Sequence, residues 1–93
     1  MPTQKSENIS TGIKRRFYEA FNVLLDTKVI RGRQTYCRQY DIDKRLFYAQ
    51  EKELERKLLK LYWLVPLVEV YNVSARWLLT GKGRMMAAKK VEE

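Results

Sequence analysis

"YCRQYDIDKRLFYAQEKE", Tyr36 to Glu53, holds two short helix-like runs with only Asp41-Ile42-Asp43 between them. Three residues are too few for a loop with structure of its own. The runs therefore form either a tight corner in a small helical core or a helix pair that presents its second member outward. Tyr36, Cys37, Tyr40 and Ile42 make an apolar set that a short helix and its following turn can bury. Asp43 is expected as the N-cap of a helix beginning at Lys44, its carboxylate accepting from the free amides of the first turn. One turn along, Phe47 should face inward. Lys44, Arg45 and Tyr48 should then face outward together, near the N-terminal end of that helix.

Working outward, the rest of the chain also reads as helical. Ile13, Phe17, Phe21, Leu24 and Leu25 fall at helical spacing. They predict a first helix from Ile13 to about Thr27, capped by Ser10 or Thr11, with Lys14, Arg15, Glu19, Asn22 and Asp26 turned to solvent. "KVIRGRQ" should stop it, with Gly32 at the turn. Beyond the opening stretch, Leu54, Leu58 and Leu61 repeat at helical spacing. Glu53–Lys57 is a favourable four-residue neighbour pair there, and Glu51–Glu55 a repulsive one. Pro66 removes an amide and biases Val65 away from helical geometry, so a new or kinked helix should run from there through Tyr71 and close at Asn72. Ser74 should cap a last short helix, "ARWLL", that ends at Thr80-Gly81-Lys82-Gly83. Tyr18, Tyr62, Trp63, Tyr71 and Trp77 are expected to pack the interior. The expected fold class is all-α: a compact bundle of about five short helices containing a helix-turn-helix. Residues 1–10 and 86–93 are expected to be flexible tails flanking a domain over 11–85.

Composition limits the chemistry. The 93 residues suit one small domain. There are 19 Lys and Arg against 11 Asp and Glu, a net charge of +8, which favours an anionic partner such as nucleic acid or a membrane surface. The chain has no histidine and a single cysteine, Cys37, so no intrachain disulfide, Cys-based zinc site or imidazole chemistry is available. Cys37 sits in an apolar pattern and is expected as a small core residue. No signal peptide is visible in the polar stretch Met1 to Ser10. The longest apolar run, "LYWLVPLVEVY", is about half a membrane span and contains Pro66 and Glu69. A cytoplasmic protein is expected, with no membrane partner.

"NVSARWLLTGKGRM", Asn72 to Met85, resembles the closing segment of lambda-repressor-like (Cro-type) helix-turn-helix domains, in which a valine-serine pair precedes a Trp-Leu-Leu-Thr-Gly run. The resemblance extends over Ile13 to Met85. Cys37 falls where the family has a small residue, Ile42 where it has Ile or Val, and Phe47 where it has a branched apolar residue. Two positions depart from the pattern. Asp41 stands in place of the turn glycine, and Gln50 stands where an apolar residue is commonly buried.

The resemblance implies that a helix from about Arg33 to Tyr40 crosses the DNA backbone while a second, from about Lys44 to Glu51, enters the major groove. Lys44, Arg45 and Tyr48 would carry the readout, Arg45 by forking onto guanine. Arg33, Gln34 and Arg38 would touch phosphates. Asp43 is expected as a cap and not a base reader. Leu46 is expected in the core ahead of contact with a thymine methyl. Double-stranded DNA is the implied partner, bound by a homodimer with the C-terminal helices as a candidate interface, and transcriptional repression the implied role.

Against this stands the plainer reading that a basic helix face is only a solvated face. Two other functions are compatible with the residues. One is an adaptor that keeps the fold but binds protein through an exposed apolar patch to which Leu46, the "WLVPLV" run and Gln50 would belong. The other is a charge-driven, nonspecific nucleic-acid binder. Asp41 and Asp43 have turn and cap explanations. Gly81 and Gly83 lack the context of a phosphate loop. No enzyme activity, cofactor, metal or small-molecule ligand is expected.

Overall fold

The structure, a computed structural model, describes residues 3–52 and 60–87, with side chains from Ile9 onward. Along the chain run α1 (Thr3–Asp26), α2 (Arg33–Gln39), α3 (Lys44–Lys52), a single 3-10 turn (Leu61–Trp63), α4 (Val65–Glu69) and α5 (Ala75–Thr80). The protein is an all-α bundle. The apolar repeat through Leu54 and Leu58, the Glu53–Lys57 and Glu51–Glu55 pairs and residues 88–93 of the expected tail lie outside the described residues.

Helix α1 supplies one wall of the core. Phe17, Ala20, Phe21 and Leu24 recur at three- and four-residue spacing and are buried. The helix starts at Thr3, through residues expected to form a tail, so Ser10 and Thr11 are interior and cap nothing. Lys14, expected outward, is 1% exposed. Helical phase places position 14 one turn from Tyr18 and two from Phe21, on the buried side, where the four-carbon stem of a lysine packs as an apolar chain. The helix ends as Lys28 takes a left-handed backbone (φ 67°) and the amides of Val29 and Ile30 fold back onto the Leu24 carbonyl, at 2.9 and 3.1 Å. Gly32, expected as the turn residue, is instead the extended residue that opens α2.

Phe47 is fully buried at the centre of an aromatic cluster. Its ring lies 5.1 Å from Phe21, 5.2 Å from Tyr18, 5.5 Å from Trp63 and 6.0 Å from Phe17, centroid to centroid. Two tyrosine hydroxyls fasten the layers around it. Tyr18 Oη donates to the Phe47 carbonyl and Tyr36 Oη to the Trp63 carbonyl, each at 2.8 Å. Burial costs a phenolate its hydration, so both hydroxyls are pushed well above the ordinary tyrosine range.

Pro66 sits in the first turn of a new helix, where its missing amide has no intrahelical role. The 3-10 turn before it has three residues per turn and is entered from extended backbone at Lys60. Trp63 and Leu64 point inward while Leu61 and Tyr62 point out. Tyr62, expected in the core, is 48% exposed, and its hydroxyl donates to the Asp41 carbonyl at 3.1 Å. Tyr71 is half-buried. Asn72 takes the left-handed backbone (φ 65°) that closes this segment.

Helix α5 follows its expected design. Ser74 Oγ accepts from the Trp77 amide at 3.1 Å, and Gly81, left-handed at φ 81°, donates back to the Trp77 carbonyl at 2.7 Å. Arg16 Nε donates to the Leu78 carbonyl at 2.9 Å, putting a cation where the helix leaves carbonyls unsatisfied. The chain then returns antiparallel to the segment before α5. Ser74 N donates to Met85 O at 2.8 Å and Ala87 N to Asn72 O at 2.9 Å. Met86 and Ala87, expected in a tail, thus belong to the folded unit.

Candidate nucleic-acid interface

The turn that launches α3 is built from three residues with separate tasks. Asp41 adopts φ 58°, a left-handed backbone that Asp tolerates better than most side chains. Ile42 follows and is buried, its amide donating to the Cys37 carbonyl at 2.8 Å. Asp43 Oδ1 accepts from the amides of Arg45 (2.9 Å) and Leu46 (3.2 Å). The Asp43 carboxylate is therefore occupied as a cap.

This anchoring divides α3 into two faces. Phe47 and Gln50 are buried, and Leu46 is half-buried against the core. Lys44, Arg45, Tyr48, Ala49 and Lys52 are exposed. Their spacing puts them on a single stripe of the helix. The structure thus brings together three of the predicted site residues, Lys44, Arg45 and Tyr48. It adds Lys52 one turn beyond Tyr48, a cation that extending the same spacing by one turn would have found.

Helix α2 packs beside α3 and exposes Gln34 and Arg38, one turn apart. Arg33 is placed differently. Its Nε and Nη2 fork onto Glu51 Oε1 and Oε2, both at 3.0 Å, and Nη2 also donates to Asn22 Oδ1 at 2.7 Å. The hydrogen bond to Glu51 raises the guanidinium further above its ordinary range. Arg33 was expected to meet phosphate; in the structure its Nε and Nη2 serve an interhelical ion pair. The signal that sequence reading lacked is Glu51, eighteen residues away and one helix over.

Gln50, where the resemblance leads one to expect an apolar residue, is buried, and its Oε1 has no hydrogen-bond partner among the described residues. Cys37 is buried, and loss of hydration pushes its thiol up. Among the described residues no three His, Cys, Asp or Glu side chains gather as a metal site. No helix among them is long and apolar enough to cross a membrane.

The fold and this surface describe a small all-α domain whose tight-turn helix pair exposes a basic, hydrogen-bonding stripe. No protein-family model, curated protein or solved structure compared with the chain matches it.

Proposed function

We propose that the protein binds double-stranded DNA in a sequence-dependent manner and acts in the cytoplasm as a transcriptional regulator of repressor type. The observation that carries this reading is the outward stripe of α3. It holds Lys44, Arg45, Tyr48 and Lys52 on a helix whose opposite face is fixed in the core. A rigid helix about 10–12 Å across matches the width of the major groove. Arg45 forks onto guanine, Tyr48 meets a base edge, and Lys44 and Lys52 neutralise phosphates. Gln34 and Arg38 on α2 contact the flanking backbone. Two copies bind half-sites about 34–36 Å apart.

The test is selection from random duplex DNA at near-physiological salt, run with wild type and Arg45→Ala in parallel. Enrichment of a short two-fold symmetric motif by wild type, lost in Arg45→Ala, is the expected result. Binding without enrichment, dropping uniformly as salt rises, would instead mark a charge-driven binder. A third reading, the adaptor, loses most of its expected patch, since Trp63, Leu64, Pro66, Leu67 and Gln50 are buried, and keeps Val65 with its exposed neighbour Leu61. Absence of DNA binding in wild type would favour an adaptor that uses such apolar residues on a protein partner.

A further inference from the structure

We infer that Asn22, Arg33 and Glu51 are positioning residues that set the pose of α3 for DNA reading. The inference rests on the DNA-binding function proposed above and deepens it. Helix α3 is anchored at its N-terminal end by the Asp41–Asp43 turn and at its middle by Phe47. Glu51 lies at the other end, in the last turn. Burial of Gln50 holds that turn against the core, and the bonds that Glu51 makes set its direction.

These bonds form a closed triangle of side chains from three helices. Arg33, the first residue of α2, holds both carboxylate oxygens of Glu51 at 3.0 Å. Asn22 of α1 accepts from Arg33 Nη2 at 2.7 Å through Oδ1 and donates through Nδ2 to Glu51 Oε2 at 3.4 Å. The Arg33 guanidinium carbon sits 6.0 Å from the centroid of the Phe21 ring, so the same group stacks on the core. Arg33 and Glu51 are 32% and 22% exposed as side chains, partly shielded from water, where a forked ion pair fixes both direction and distance. A guanidinium supplies this geometry and an ammonium does not, because lysine offers one charged point and no planar fork.

The inference gives Arg33 a role opposite to the phosphate contact that its place at the start of α2 suggests, and salt separates the two. Each phosphate contact contributes about 0.9 to the slope of log affinity against log salt. The experiment titrates the selected duplex, and single-mismatch versions of it, against wild type, Arg33→Lys, Arg33→Ala, Glu51→Gln and Arg33→Ala/Glu51→Gln. Titrations run across a salt series at a temperature where every variant is fully folded by circular dichroism.

For a positioning role, Arg33→Lys and Glu51→Gln each lose on the order of tenfold in affinity, comparable to a lost base contact. The double variant is then no worse than the worse single, the salt slope stays at the wild-type value, and discrimination against mismatches falls. Relaxed discrimination is the signature that mere destabilisation would not give, since unfolding lowers the active fraction and leaves preference unchanged. The inference is overturned if Arg33→Ala lowers the slope by about one, Arg33→Lys restores it and Glu51→Gln has no effect. It is also overturned if the losses at 33 and 51 are additive. Wild type that binds no duplex removes the underlying DNA reading itself, and that failure shows before any substitution is made.

Discussion

Two turns in this molecule are built alike. Tyr40-Asp41-Ile42-Asp43 leads into α3, and Tyr71-Asn72-Val73-Ser74 leads into α5. In each, a half-buried tyrosine precedes a left-handed non-glycine residue, Asp41 at φ 58° and Asn72 at φ 65°. Each continues with a buried β-branched residue, then a side chain that accepts from the amide three residues on. The next helix in each case buries its fourth residue, Phe47 or Leu78. What differs lies beyond the helix start. The second turn is sealed on its outer side by the returning chain, with Asn72 Nδ2 also donating to Ala87 O at 3.1 Å. Helix α5 then closes within six residues, on Gly81 and Arg16. The first turn launches a longer helix whose outward stripe is exposed. One local plan thus yields a short helix closed at both ends and a longer helix with an exposed basic face among the described residues.

Core truncation breaks both halves of the comparison hardest. Phe47→Ala should cost about 3–5 kcal/mol and Leu78→Ala about 2–5 kcal/mol by urea denaturation. A Phe47→Ala loss below that of Leu78→Ala would show that the aromatic cluster is not the centre of the core.

Alkali is the next strongest lever. Burial and a hydrogen bond with Tyr40 push the Tyr71 hydroxyl up to about 12, and burial raises Tyr18 and Tyr36 as well. A tyrosine whose folded value lies above its unfolded one contributes stability that is complete below pH of about 10 and is lost as pH rises through the folded value. Unfolding curves should therefore coincide at pH 7 and 9 and shift steeply to lower denaturant between pH 10 and 12. Tyr71→Phe should flatten part of that shift. A curve insensitive to pH up to 12 would sink this account.

Caps come third. Asp43→Ala and Ser74→Ala should each cost about 1 kcal/mol. If the two turns are equivalent units, thermal melts of the two variants should shift by similar amounts. A much larger effect at Ser74 would mean that the returning chain depends on that cap. The smallest change is Asp41→Gly or Asn72→Gly. Each should move stability by less than about 1 kcal/mol, because relief of the left-handed backbone is offset by the greater freedom of glycine in the unfolded chain.

The elements legible in the sequence were those fixed by neighbours within one or two turns of helix. Asp43 and Ser74 announced their helices because capping is a local contact, while the approximate bounds of α2 and α3 came from the resemblance to repressor-like domains. What escaped was set at longer range. Nothing near Ser10 forbids a helix from running through it, so the start at Thr3 had no local mark. Tyr62 lies in a short 3-10 turn entered from extended backbone at Lys60, so α-helical spacing does not tell which way it points. Arg33 was assigned to phosphate because Glu51 lies in another helix, and Met86 and Ala87 joined the fold through backbone pairing that carries no side-chain pattern. At the candidate site, the outward positions of α3 could be read from periodicity alone, whereas the residues that hold its far end could not.

The two faces of α3 also bear on how such a chain can change over time. Gln50, Phe47 and Glu51 answer to the interior and to Arg33. Lys44, Arg45, Tyr48, Ala49 and Lys52 answer to whatever lies outside. The positions that pack and the positions that face outward are thus separate on this one helix. A library randomised at those five outward positions inherits an intact scaffold, so selection acts on preference without first having to rescue the protein.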